Sequence, residues 1–94
     1  MPVGLLSLQI HLADCHSLKE KRARIQPILH RLHREFNVST SELDYNDIWK
    51  DALLGIACVS NDSIFIRQVF QEIQHFFQRA WPDVEIVDER IEIL

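Results

Sequence analysis

The fold is decided by residues 3–22, VGLLSLQIHLADCHSLKEKR, because an alternating strand there leads directly into a capped helix. Along 3–12, leucine and isoleucine alternate with polar residues, which is the period of two that a half-buried strand requires. Ser17 and Glu20 then have the spacing of a capping box, in which a hydroxyl and a carboxylate bind the free amides of a helix start. We therefore predict a strand followed by a helix that begins at Leu18.

Two helices and three further strands follow from the same kind of pattern. Apolar residues recur at helical spacing over 18–36 and again over 63–80. The polar stretch 38–43 suits an edge strand, where charge discourages pairing with other molecules. The nearly apolar stretch 53–59 suits a central strand, and 84–94 alternates again. The predicted order of elements is β-α-β-β-α-β.

This order predicts a single α+β domain over residues 1–94, a two-layer sandwich with both helices on one face of the sheet. The sheet is predicted to be antiparallel and four-stranded, in the order 4-1-3-2, and the right-handed crossover rule favours this arrangement over its mirror image. Pro27 removes a backbone amide inside the first helix and predicts a kink there. Gly55 in the central strand predicts a close approach of another group.

Composition limits the class of protein. The chain is 47% hydrophobic and 26% charged, which is typical of a globular domain. No apolar run approaches the roughly 20 residues that span a bilayer, so we expect no contact with a membrane. Met1 is followed at once by a strand without a charged leader, so we expect no signal peptide. Cys15 and Cys58 should lie far apart along the sheet as free thiols, which suits the cytoplasm.

Charge is distributed unevenly along the chain. Residues 1–41 carry a net charge of +3, whereas residues 42–94 carry −7. Six of the ten Lys and Arg residues lie between 19 and 34, with Glu20 the only acid among them. These cations could form a ridge that contacts phosphate, or they could be the solvated face of an ordinary amphipathic helix. The candidate residues are Lys19, Lys21, Arg22, Arg24, Arg31 and Arg34.

The open face of the sheet is a second candidate surface. If alternate residues of the central strand point to the helices, the remaining ones join the polar side of the first strand. An exposed apolar strip of this kind is typical of a protein contact, and a homodimer is the simplest case. The alternative is that the chain's own 45–50 connection covers the strip. The residues predicted to line it are Ser7, Gln9, His11, Leu53, Ala57 and Val59.

Catalytic and metal-binding patterns are missing from the sequence. The histidines and cysteines have no spacing typical of a zinc site, and the chain has only two glycines, too few for a phosphate-binding loop. We therefore predict no enzyme, no metal or other cofactor and no small-molecule substrate. Asp44, Asp47 and Asp51 are interpreted as turn residues, with Asp47 fixing the connection locally. Trp49 is predicted to fold back onto the sheet and anchor that connection.

Several motifs together resemble the YlxP-like family of small bacterial proteins. They are Val3-Gly4, Ser17-Leu18-Lys19-Glu20-Lys21-Arg22, Phe36-Asn37-Val38-Ser39, Asp47 with Trp49, and the stretch from Leu54-Gly55 to Val59-Ser60. The resemblance covers essentially the whole chain and implies a ferredoxin-like fold. Genes of that family often lie beside those for translation initiation factor two and ribosome-binding factor A. The resemblance therefore implies a role in translation or ribosome assembly, with RNA or ribosomal particles as partners.

Overall fold

The structure, a computed structural model, describes residues 2–94. The elements follow in the predicted order, and both helices have the predicted bounds, while the strands differ by one or two residues at their ends. The elements are β1 (Val3–His11), α1 (Leu18–Phe36), β2 (Ser39–Asp44), β3 (Asp51–Val59), α2 (Ser63–Ala80) and β4 (Glu85–Ile93).

The strands form one antiparallel sheet in the order β2-β3-β1-β4, as predicted. Ser7 at the centre of β1 lies opposite Gly55 of β3 on one side and Arg90 of β4 on the other. The registers of β2 with β3 and of β4 with β1 each contain one irregularity, between Glu42 and Asp44 and opposite Gln9 and Ile10. The molecule is thus an α+β protein with two edge strands, β2 and β4.

The core lies between the sheet and the helices. Leu6, Leu8 and Ile10 alternate along β1 with partly exposed residues and are fully buried. They join one hydrophobic cluster with buried side chains of both helices, so α1 and α2 cover the same side of the sheet. From the helices the cluster contains Ile25, Ile28, Leu29, Leu32, Ile66, Phe70, Ile73 and Phe77.

Side chains cap both helices, and the capping box at Ser17 and Glu20 is formed as predicted. The Glu20 amide donates to Ser17 Oγ at 3.0 Å, and the Glu20 carboxylate accepts from the His16 amide at 3.1 Å. Asn37 ends α1 in the left-handed conformation, with φ 52° and ψ 50°, which asparagine tolerates well. Asp62 caps α2 and accepts from the Ile64 amide at 2.9 Å. In both helices, a side chain therefore accepts a hydrogen bond from a free backbone amide of the first turn.

Only part of the apolar surface of α2 is buried. Phe65, near the start of the helix, is 50% exposed. The buried residues include Ile66, Phe70 and Phe77, and Gly4 of β1 lets the helix approach the sheet closely at Ile66 and Phe70. A Cβ atom at Gly4 would lie only 2.9 Å from Phe70 Cε2 and still closer to Ile66.

Pro27 lies inside α1 without ending it. The helix runs continuously from Leu18 to Phe36, and Pro27 is exposed to solvent. The missing amide is therefore on the solvent side, and the expected kink stays a prediction. Neither helix within residues 2–94 is long and apolar enough to cross a lipid bilayer.

Candidate functional site

The surface of α1 carries the candidate cations, but Lys21 is not among the exposed ones. Its side chain is 2% exposed, and the ammonium lies 2.7 Å from Glu42 Oε2 in β2. It also donates a hydrogen bond to the Tyr45 carbonyl at 2.5 Å. The Glu42 oxygen meets the ammonium as an ion-pair partner without the alignment of a hydrogen bond. The placement of Lys21 on the solvated face is therefore wrong, because it is needed to neutralise a carboxylate at the sheet edge.

Arg24 and Arg31 are directed toward other parts of the protein. Arg24 forms an ion pair with Asp83 at 3.3 Å. The Arg31 guanidinium lies over the ring of Phe76, 4.9 Å from its centroid, and 5.9 Å from that of Trp81. Cation–π contacts of this kind contribute about 0.5–1 kcal/mol at exposed sites. Both arginines thus tie α1 to the end of α2 and to the loop that follows it.

Lys19, Arg22 and Arg34 are the candidate cations left for a partner. All three are exposed, and none of them forms an ion pair within residues 2–94. At 3.6 residues per turn, Lys19 lies midway between Arg22 and Arg34 around the helix axis, so the three spread over about a third of the circumference, on its outer flank. The exposed Gln26 and His30 lie between them on that flank. We call Lys19, Arg22 and Arg34 the basic ridge.

A groove of about 360 Å³ separates this flank of α1 from β2. Two hydrogen bonds hold its walls together: Thr40 Oγ1 donates to the Leu29 carbonyl at 2.9 Å, and the His33 ring donates to the Val38 carbonyl at 2.6 Å. Because a carbonyl only accepts, this bond assigns the proton to Nδ1 of His33 and leaves Nε2 unused. The groove is lined by Gln26, Leu29, His30, His33, Ser39 and Thr40.

The open face of the sheet has the predicted residues on it. Ser7 lies opposite Gly55, Gln9 opposite Leu53, and His11 opposite Asp51, so the two strands share this side of the sheet. The remaining two predicted residues, Ala57 and Val59, follow on the same side, and Val59 is 62% exposed. The pair at the strand end is also joined by side chains, with His11 Nδ1 3.0 Å from Asp51 Oδ1.

Leu43 and Tyr45 cover part of this face. A Cβ atom at Gly55 would lie 2.6 Å from Leu43 Cδ1, so the predicted close approach at this glycine is made by a leucine side chain. Tyr45 lines a neighbouring depression of about 210 Å³ together with Leu53 and Arg90. Leu43 of β2 and Tyr45, the first residue of the 45–50 connection, therefore lie against the strip.

The connection between β2 and β3 is held differently from the prediction. Trp49 is 49% exposed and is not part of the hydrophobic cluster, so it does not anchor the connection as a buried aromatic would. Asp44, rather than Asp47, makes the local side-chain bond, because its Oδ1 accepts from the Tyr45 amide at 2.7 Å. Tyr45 has a positive φ of 65°, and its carbonyl accepts from both Lys21 and the Ile48 amide.

The cysteines are free thiols, as predicted, and both are buried. Burial raises the pKa of the Cys58 thiol above its ordinary value. Among residues 2–94, no three His, Cys, Asp or Glu side chains converge in a way that could hold a metal ion.

The buried ion pair and the aromatic contact between the helices were not predicted from the sequence. Lys21 lies four and seven residues before Ile25 and Ile28, so its position on the buried stripe was a signal that could have been read. The aromatic contact joins Phe36 of α1 to Phe76 of α2, with ring centroids 5.3 Å apart. The Trp81 ring extends this contact, with its centroid 5.8 Å from that of Phe76. Nothing in the local pattern separates Trp81, which packs against the core, from Trp49.

Comparison with known proteins supports the resemblance drawn from the motifs. Residues 3–91 match the model of the family described as "Protein of unknown function (DUF503)". The chain is also 36% identical over 90 residues to "Uncharacterized protein YlxP" of Bacillus subtilis (strain 168), which covers 96% of this chain and 97% of that protein. The basic ridge, the groove and the buried ion pair all lie inside the matched range. The chain therefore belongs to the DUF503 family.

Proposed function

We propose that the protein is a non-enzymatic accessory factor that contacts RNA or a ribosomal particle through the basic ridge. The observation that carries this proposal is that Lys19, Arg22 and Arg34 are exposed and have no ion-pair partner within the described residues. Lys19 and Arg34 are separated by about 22 Å along the helix, at 1.5 Å per residue. A row of unpaired cations of this length suits several phosphates of one strand.

The position of the exposed negative charge also favours an approach of RNA from the α1 side. β4 is the edge strand farthest from β2, and it exposes Glu85, Asp88, Glu89 and Glu92. The α1 helix packs near β2, at the other edge of the sheet. A polyanion would be attracted to the α1 side and repelled from β4, so the field of the whole molecule would direct its approach. The net charge of −4 argues against general nucleic-acid binding and in favour of one local contact.

We also propose that the protein has a ferredoxin-like fold and works in the cytoplasm. The order of elements and the shared helix face suit a ferredoxin-like sandwich. Two free thiols suit the reducing cytoplasm, where ribosomes are assembled. Stacking of bases on the sheet is disfavoured, because β1 and β3 carry no Phe, Tyr or Trp.

A second candidate function is a dimerising protein-interaction module that uses the open sheet face. The observation in its favour is the exposed apolar side chains there, with Leu43 at 49% and Val59 at 62% exposure. An apolar depression of about 150 Å³ lies beside Leu43, between Leu5 and Ala57. Such surfaces are typical of contacts between proteins.

Cosedimentation with ribosomal particles at increasing salt separates the two candidates. Phosphate contact predicts that binding weakens steeply as salt rises, whereas an apolar contact is much less sensitive. A Val59→Glu variant should dimerise less if the sheet face is an interface, and should still cosediment if the basic ridge binds RNA. Absence of cosedimentation at low salt would contradict the RNA proposal.

A further inference from the structure

We propose that the outer edge of β2, together with the groove beside it, binds an extended acidic peptide that adds to the sheet as a fifth strand. The proposal goes beyond the RNA contact, because it depends on the backbone of β2 and the floor of the groove in addition to the outer cations of α1. Strand addition of this kind combines main-chain hydrogen bonds with pockets for alternate side chains.

The backbone of β2 is open on its outer side. β2 pairs only with β3, so alternate amides and carbonyls of residues 39–42 point away from the sheet. Sheet edges are usually protected by outward charge, proline or bulges. The one irregularity in β2 lies between Glu42 and Asp44, at the end of this stretch. The edge at residues 39–42 is therefore regular and unpaired.

The charge that was expected to protect this edge does not face a partner. Glu42 is the only charged residue between 39 and 43, and it points to the buried ammonium of Lys21. Ser39 and Ser41, which are exposed, carry no charge. The other edge strand, β4, contrasts with it, because most of its exposed residues are charged. Strand addition is thus disfavoured at β4 and favoured at β2.

The groove provides the place for side chains. A strand added to β2 would direct alternate side chains to the helix side of the sheet, where the flank of α1 forms the opposite wall. The groove holds about 360 Å³, enough for side chains of ordinary size. Its walls are joined by the Thr40–Leu29 and His33–Val38 hydrogen bonds, so the site is formed before any peptide binds. A preformed site loses less conformational entropy on binding.

Charge selects the kind of peptide. None of the residues described as lining the groove is acidic, and His30 and His33 supply polar ring nitrogens. Lys19 and Arg22, seven and four residues before Gln26, are exposed on the same flank of α1 as the groove. Acidic side chains are therefore favoured in the peptide. A second copy of this chain is a poorer occupant, because pairing of two β2 edges would bring two basic ridges together.

The test screens the intact protein against an array of random peptides about eight residues long, enough to extend beyond a short strand. A selected peptide is then titrated into isotope-labelled protein and followed by amide chemical shifts and hydrogen exchange. We expect Asp and Glu to be enriched at alternate peptide positions. We also expect shifts at residues 26–33 and 39–42, with slower exchange of alternate β2 amides.

Matched variants identify the groove. His30→Glu places a negative charge in the groove and should weaken peptide binding about tenfold, because like charges repel. His75→Glu makes the same change at an exposed histidine of α2 and should leave binding unchanged. Equal losses in the two variants would contradict the proposal, as would shifts on the open sheet face or peptides without acidic enrichment. Single-stranded RNA that shifts the β2 amides where no peptide does, or protection of these amides by dimerisation, would also overturn it.

Discussion

Lys21 of α1 and Glu42 of β2 form a buried ion pair, with 2.7 Å between Nζ and Oε2. The pair joins the first helix to the edge strand, and the same ammonium holds the Tyr45 carbonyl at the start of the next connection. One side chain therefore fixes the position of α1 relative to the groove and the orientation of Glu42. This explains why one of the six cations near the start of the chain is unavailable to a partner.

Removal of Lys21 should destabilise the protein strongly. We expect Lys21→Ala to lower the free energy of unfolding by roughly 3–5 kcal/mol, because it leaves the Glu42 carboxylate without its counter-ion. Chemical denaturation measures this directly. A Lys21→Met/Glu42→Leu double variant should recover much of the loss, since neither charge is then left alone. A single variant as stable as the wild type would show that the pair is not formed.

The two glycines should respond differently to an added methyl group. Gly4→Ala forces a Cβ atom against Ile66 and Phe70 in the core, and overpacking of this kind costs about 1–3 kcal/mol. Gly55→Ala meets only Leu43, which is 49% exposed and can turn toward solvent. We therefore expect the larger fall in melting temperature for Gly4→Ala. A larger fall for Gly55→Ala would mean that Leu43 is held in place more firmly than its exposure indicates.

The two tryptophans should also differ in how much each contributes to the stability of the fold. Trp81→Ala removes a ring that packs against Phe76 and Phe77, and we expect a loss of about 3 kcal/mol. Trp49→Ala removes a half-exposed ring outside the core and should cost no more than about 1 kcal/mol. Thermal unfolding of both variants compares them. If Trp49→Ala were the more damaging change, the connection would be a structural anchor after all.

The buried thiol predicts a pH dependence. The pKa of Cys58 is raised in the folded protein by burial, so the folded state holds this proton more tightly than the unfolded state. Stability from this group is present at neutral pH and is lost as the pH rises past the ordinary thiol pKa of about 8.5. A Cys58→Ala variant should therefore lose less stability than the wild type between neutral and alkaline pH. Parallel pH dependences of unfolding in the two proteins would contradict this.

The fold could be predicted from the sequence because the local patterns agree with one another. The alternation along β1 and the capping box at Ser17 define the first two elements, and the two antiparallel edge strands then follow from the order of the elements. The site was predicted less well. A lysine was assigned to solvent by its charge, although Lys21 is buried because Glu42, twenty-one residues later, arrives at the same place. Contacts of that kind depend on the register of the sheet, which the local sequence does not contain.

If the basic ridge contacts phosphate, its removal should change the salt dependence of binding to ribosomal particles, which cosedimentation at graded salt measures. The comparison sets the wild type against Arg22→Ala/Arg34→Ala and against a control, Arg67→Ala/Arg79→Ala, which removes two exposed arginines from α2. Each lost phosphate contact with single-stranded RNA should reduce the slope of log affinity against log salt by about 0.7. We predict a shallower slope and weaker binding for the α1 variant and an unchanged slope for the control. Equal slopes in all three proteins would contradict the proposed role of the basic ridge.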